Sequence, residues 1–216
     1  MSPSADPPAD PAGELPRFSR AVRWVHGLVG TLMLLCIATA AVLYVSPLAI
    51  LVGHRNVVEQ VHVWSGCALP VPLLAGLAFG SYRADLRRLD RFGPHDWRWL
   101  RSRTRRDGRI PVGKFNAGQK LNGSLSAGSI AVLLLSGVVM YSPGLAPLDW
   151  RTGATFVHDW FALAVGLLVI GHVSFAVRDP VALRSLRTGT VPPGWARREH
   201  GAWAAEVTGA APDVVP

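Results

Sequence analysis

Four stretches of this chain are long, apolar and almost free of charge: Trp24 to Val45, Val61 to Tyr82, Leu121 to Tyr141 and Phe156 to Val177. Each reaches the roughly 20 residues that a helix needs to cross a bilayer core of about 30 Å. Backbone N–H and C=O groups in lipid have to be satisfied inside their own segment, and for an open chain only the helix does that. The expected fold is therefore all-α, an integral membrane four-helix bundle with spans at 24–45, 61–82, 121–141 and 156–177. Composition agrees: half of the 216 residues are hydrophobic although the formal charge is +8. Charge and apolar surface lie in separate blocks, whereas a soluble basic domain would interleave them.

The arginines orient the spans. Arg83 to Lys120 holds 12 Lys and Arg, the N-terminal flank holds Arg17, Arg20 and Arg23, and the chain after Val177 holds Arg178, Arg184, Arg187, Arg197 and Arg198. The other two connections hold one each, Arg55 and Arg151. The positive-inside rule places both termini and the long middle loop in the cytoplasm, as for a multi-pass protein of the bacterial inner membrane. The basic excess is thus a topology signal, and the partner it implies is membrane lipid, with no nucleic acid.

Three regions follow. Residues 1–16, rich in Pro, Ala and Asp, read as a disordered lead; 17–177 as the membrane domain; and 178–216 as a cytoplasmic tail. The lead lacks the positive start of a cleavable signal, so the first span is expected to remain as an anchor. Two basic segments carry tryptophans, 92–106 with Trp97 and Trp99, and 186–207 with Trp195 and Trp203. Both suit helices lying at the headgroup level, or solvated connections. Cys36 and Cys67 fall within spans and read as packing residues. No CxxCH occurs, which excludes covalent c-type haem, and two cysteines are too few for an iron–sulfur cluster.

Of seven histidines, His54, His95 and His200 lie in loops or the tail, while His26, His62, His158 and His172 lie inside spans. An imidazole within a membrane is costly without a partner. Depth sorts the four: His26 and His172 near the inner face, His62 and His158 near the outer one. The 14 residues from His158 to His172 are close to four helical turns, so both leave one face of their helix about 21 Å apart. A bundle holding two b-type haems, each iron between two imidazoles, needs that arrangement. Tetrahedral zinc would need four ligands at one depth. Alternatively, the histidines hydrogen-bond neighbouring helices. Gly27, Gly30, Gly66, Gly123, Gly128, Gly166 and Gly171 accompany the histidines and would let a flat macrocycle approach the backbone, or simply let helices pack.

One polar stretch, "VGKFNAGQK" at 112–120, opens the third span. Together with "RFSRAVRWVHG", the His158 to His172 spacing and the tail "TGTVPPGWARREHGAW", it resembles the cytochrome b (gamma) subunit of membrane-bound formate dehydrogenases, within a wider superfamily of bacterial di-haem cytochromes b. The resemblance runs from Arg17 to Trp203. It departs at Glu199-His200, where a pair of histidines is common, and in short outer loops.

The resemblance implies two haem b groups, the inner held by His26 and His172 and the outer by His62 and His158. It also implies a quinone site beside the inner haem, formed by Asn116, Gly118 and Gln119. Such a subunit carries electrons from an iron–sulfur (beta) subunit to quinone, while a separate catalytic (alpha) subunit oxidises formate. Neutral amides suit that site, since they donate to quinone oxygens without burying a charge. Gly118 would allow close backbone approach. Helix capping explains Asn116 but leaves Gln119 without a role. The rival readings are a di-haem subunit serving hydrogenase or thiosulfate reductase, and a haem-free anchor or transporter.

Overall fold

The computed structural model of the protein describes residues 13–104 and 109–209. Most of the lead expected over 1–16 lies outside them. Its last residues do not: Leu15–Pro16 (β1) pairs antiparallel with Thr190–Val191 (β2), with Leu15 opposite Val191. An ordered strand thus replaces the disorder expected there.

The first long helix, α1 (Arg20–Tyr44), starts at Ser19, whose hydroxyl accepts from the Val22 N–H at 3.3 Å. It ends before Pro47, in a short α2 (Ser46–Val52) closed by Gly53 at φ 69°, a conformation that favours glycine.

Where the sequence pointed to one span over 61–82, the chain has three pieces: α3 (Arg55–Ala68), α4 (Pro70–Gly76) and α5 (Gly80–Asp90). Proline lacks the N–H that would continue the ladder, so α3 stops at Ala68, two residues before Pro70. Leu69 keeps right-handed helical angles, and α3 and α4 together span Arg55–Gly76. At Leu77–Phe79 the path bends by 105° into α5. A Cβ on Gly76 would stand 2.8 Å from the Tyr82 ring and 2.9 Å from Val25, so any larger residue would have to push these side chains aside at this corner. Arg83 donates to the freed Leu77 carbonyl at 2.5 Å. Hydropathy missed the corner because Leu77, Phe79 and Tyr82 are as apolar as a continuing span would be.

After α6 (Pro94–Arg101) come two long helices, α7 (Ala117–Tyr141) and α8 (Leu148–Val177). α7 lies along α8, and α1 along α3. By length and composition α1, α7 and α8 can each cross a membrane, and the bent α3–α5 path is a fourth candidate when its two arms are taken as one broken span. Midway through the bundle, Met33, Leu69, Ile130 and Val165 form one buried apolar layer, with one residue from each crossing or its kink.

The chain closes with α9 (Pro180–Thr188), α10 (Pro193–Glu199) and α11 (Gly201–Thr208). These build a cap at one end of the bundle, together with β1 and β2. Val191, Trp195, Ala196, Trp203 and Ala204 form its core, with Leu15, Val181 and Ala182 against them. The tail tryptophans expected at the headgroup level are therefore inside the protein. Trp195 has a polar reason to turn inward, since its Nε1–H donates to Asp179, which also caps α9.

Candidate functional site

The structure brings the four intramembrane histidines together in two pairs. The ring centroids of His26 and His172 are 6.1 Å apart, and those of His62 and His158 are 6.2 Å apart. The planes cross at 50° and 69° respectively. Helical spacing explains the layering: Met33 follows His26 by two turns, and Val165 sits midway between His158 and His172. The apolar layer thus separates the two pairs, about 10 Å along the axis from each.

The two pairs have different surroundings. His62 Nδ1 lies 2.9 Å from Thr39 Oγ1, and His158 Nδ1 lies 3.1 Å from Ser136 Oγ. Each hydroxyl has one hydrogen and spends it on its own helix: Thr39 donates to the Leu35 carbonyl at 2.7 Å, Ser136 to that of Val132 at 2.6 Å. The hydroxyl oxygens therefore accept from Nδ1–H. Both imidazoles keep the Nε2 lone pair for another partner. His158 gains room from Gly137, where a Cβ would stand 3.3 Å from its ring. His26 and His172 are more open and, among the described residues, have no such hydroxyl. Composition and spacing did not single out Thr39, Ser136 or Gly137. A hydroxyl at the depth of each histidine was the available signal.

The NAGQ element lies where the cap meets the bundle. Asn116 Oδ1 accepts from the Gln119 N–H at 2.9 Å, and Gln119 Oε1 accepts from the Asn116 N–H at 3.0 Å. This reciprocal capping box gives Gln119 a structural role that capping by Asn116 alone did not. Because backbone N–H groups only donate, both amides turn their oxygens to the helix start and keep their NH₂ groups as donors. Close approach at Gly118 is used by the protein itself: a Cβ there would stand 3.2 Å from the Trp99 ring.

The lysines on either side are tied down. Lys114 Nζ meets both Asp85 oxygens at 2.6 and 2.7 Å, and Lys120 Nζ meets Asp96 at 2.7 Å and the Arg91 carbonyl at 2.9 Å. Burial holds the Lys114 ammonium below the usual lysine range, with Asp85 opposing that shift.

The same loop docks on the tail. His200 Nδ1 donates to the Gly113 carbonyl at 2.7 Å, and its Nε2 accepts from Arg17 Nη2 at 2.9 Å, an arrangement that requires a neutral ring. Arg17, expected as a solvated topology charge, is only 3% exposed. Its guanidinium lies 4.5 Å from the Trp195 ring centre and 5.0 Å from that of Phe18. Burial pushes its pKa down to about 10.

Two stacked imidazole pairs inside an apolar helical bundle are the arrangement of a membrane cytochrome b. The comparison with known families agrees: the model for prokaryotic cytochrome b561 matches residues 17–189, and the chain belongs to that family. It is an integral membrane cytochrome b, a class that works with haem b in electron transfer. Among curated proteins it is similar to the formate dehydrogenase cytochrome b556(fdo) subunit of Escherichia coli (strain K12). That match is 28% identical over 99 residues, covering 44% of this chain and 47% of the relative. The nitrate-inducible formate dehydrogenase cytochrome b556(Fdn) subunits of Escherichia coli (strain K12) and Shigella flexneri are 28% identical over the same length, with 46% of each covered. The matched part spans about half the length of these curated relatives.

The side chains fit haem b. A metal–imidazole bond is about 2 Å, so two rings on opposite sides of one ion place their centroids a little over 6 Å apart. Both pairs have that separation. Among the described residues no atom beyond the local helix backbone comes within 4 Å of a Cβ built on Gly27, Gly30, Gly66, Gly128, Gly166 or Gly171, so close helix packing is not what these glycines serve. Gly123 differs, with Leu89 at 3.7 Å. Among the described residues no three His, Cys, Asp or Glu side chains converge, so a tetrahedral metal site has no third ligand.

Proposed function

We propose that this chain is the di-haem cytochrome b subunit of a membrane-bound formate dehydrogenase, taking electrons from an iron–sulfur partner and delivering them to quinone. The observation that carries this reading is the pair of imidazole couples, each with the separation that one iron requires. Bound haem b supplies one-electron chemistry at each couple. His62 and His158 hold the outer iron, and His26 and His172 the inner one. Formate as the distant donor comes from the names of the relatives, and the catalytic (alpha) and iron–sulfur (beta) subunits, as separate chains, are what the family resemblance implies.

Orientation follows from the arginines, which put the cap in the cytoplasm. An electron travelling from the His62–His158 end to the His26–His172 end then moves against a potential that is negative inside, at about 2.3 kcal/mol per charge per 100 mV. Quinone accepts it beside the inner couple. The NH₂ groups of Asn116 and Gln119 supply two donors for a quinone oxygen without bringing a charge into the site. Gly118 lets the edge of the Trp99 ring come close to the helix start.

A reduced-minus-oxidised visible spectrum of the detergent-purified protein, with pyridine haemochrome quantitation, tests the haem assignment. Two b haems per chain are expected, and a colourless, well-folded preparation from haem-supplied cells overturns it. Gln119→Glu tests the quinone site, because the carboxylate still accepts from the Asn116 N–H while the amide donor is gone. Haem content should stay and quinone reduction should fall at least tenfold. Unchanged quinone reduction removes Gln119 from the site.

A further inference from the structure

We infer that Thr39 and Ser136 are positioning residues for the outer couple: their hydroxyl oxygens fix the Nδ1–H tautomer and ring orientation of His62 and His158, and bias that centre toward a lower reduction potential. The inference rests on the haem reading above and extends it to residues that composition and spacing did not single out.

The geometry is reciprocal between the two halves of the bundle. Thr39 belongs to α1 and serves a histidine on α3; Ser136 belongs to α7 and serves a histidine on α8. In each case a carbonyl four residues earlier, at 2.7 and 2.6 Å, stands ready for the hydroxyl hydrogen, which leaves the oxygen to accept from the imidazole Nδ1–H. Both hydroxyl residues are nearly buried, at 8% exposure, which keeps competing acceptors away. A hydroxyl in an apolar helix could satisfy itself on its own backbone alone. Two such hydroxyls, each within hydrogen-bond distance of a different histidine of one couple, point to a shared task.

The chemical consequence has a sign. An imidazole that donates its Nδ1–H to an oxygen becomes more basic at Nε2, and a more basic axial ligand favours the more highly charged oxidised metal. The outer centre is thereby held at a lower potential than the same two histidines would give without the hydroxyls. The His26–His172 couple has no corresponding hydroxyl among the described residues, so this contact acts on one centre only. A lower potential at the outer couple favours onward transfer of its electron to the inner one.

The test uses the full chain in its native membrane or complex, with the isosteric Thr39→Val, the small Ser136→Ala, and Thr39→Ser as the variant that keeps the oxygen. Haem content is measured first, then potentiometric titration followed optically, and the low-spin EPR spectrum, whose low-field feature reads the angle between axial ring planes. In Thr39→Val and Ser136→Ala one of the two midpoint potentials should rise and its EPR feature should move, with the other centre unchanged. Thr39→Ser should match the parent. If Thr39→Val loses haem instead, retention by Thr39→Ser still assigns the effect to the hydroxyl, and loss in both overturns the inference. Full haem with unshifted potentials and EPR in both deletions overturns it while leaving the haem reading intact. A parent protein without haem overturns both.

Discussion

In the spanning bundle the buried apolar cluster is one thin layer, Met33, Leu69, Ile130 and Val165. In the cap a single stretch of chain closes Val191, Trp195, Ala196, Trp203 and Ala204 over one another. The bundle leaves large side chains such as Leu34, Leu135, Leu167 and Ile170 on its outside, while the cap turns two tryptophans inward. Lipid tails solvate a leucine as well as another leucine does, so helices in a bilayer gain little from burying apolar surface. Specific contacts within the membrane then fall to the few polar side chains present, here four histidines and the hydroxyls of Thr39 and Ser136. The cap follows the rules of water, where removing a tryptophan from solvent is favourable and every polar group taken along needs a partner. Arg17 and His200 follow the second rule in part: Arg17 Nη2 meets His200 and His200 meets the Gly113 carbonyl, while Arg17 Nε and Nη1 have no hydrogen-bond partner among the described residues and the guanidinium lies against the Trp195 and Phe18 rings.

This contrast can be broken by substitutions confined to one region. The largest effect is expected from His172→Ala and His62→Ala, each of which should remove one haem of two and leave the other. Haemochrome quantitation reads the loss, and limited proteolysis of the tail should be unchanged, because the cap does not depend on either ring. Full haem content in either variant would dissolve the proposed pairing.

Next comes Lys114→Ala. It strands Asp85, which is only 6% exposed, and uncompensated burial of a carboxylate costs about 3 kcal/mol. Hydrogen exchange over α10 and α11 should accelerate markedly while the visible spectrum stays in place. Equal acceleration in the middle of α7 and α8 would mean that cap and bundle unfold as one unit.

The smallest effect concerns acid. Hydrogen bonding to Arg88 holds the Glu206 carboxyl below its ordinary 4.5, and hydrogen bonds from Thr190 and Arg184 do the same for Glu14. A carboxyl depressed in the folded state contributes fully above pH 4.5 and loses that contribution as pH falls through its folded value. Both bridges are exposed, so the loss at Glu206 is about 0.5 kcal/mol or less. Proteolysis of the tail should quicken modestly between pH 5 and 3, and Arg88→Gln should abolish part of that dependence. A transition above pH 5 would point to a different group.

Much of the site was legible because depth in a membrane is written along the chain. The position of a histidine within an apolar run gives its level, and helical rise does the rest, so His26 and His172 could be assigned to one layer and His62 and His158 to another. Asn116 was legible as a cap for the same local reason. Gln119 was not, because its role depends on a side chain reaching back to the residue three before it. The corner after Gly76 escaped for a different reason: Leu77 and Phe79 carry the hydropathy of a span, and the packing of Tyr82 and Val25 around Gly76 is made only after folding.

The sequence by itself determined what the membrane reads one segment at a time: apolar length, the arginine asymmetry and the depth of each histidine. These depend on transfer of a local stretch between water and lipid, which needs no knowledge of neighbours. Only the tertiary structure decided which partners meet. The placement of Thr39 against His62, Ser136 against His158, and Arg17 against His200 joins positions on different elements, as far as 183 residues apart. The direction of each side chain, and so the partner of each buried polar group, is set by how whole helices lie against one another, and no local pattern encodes that.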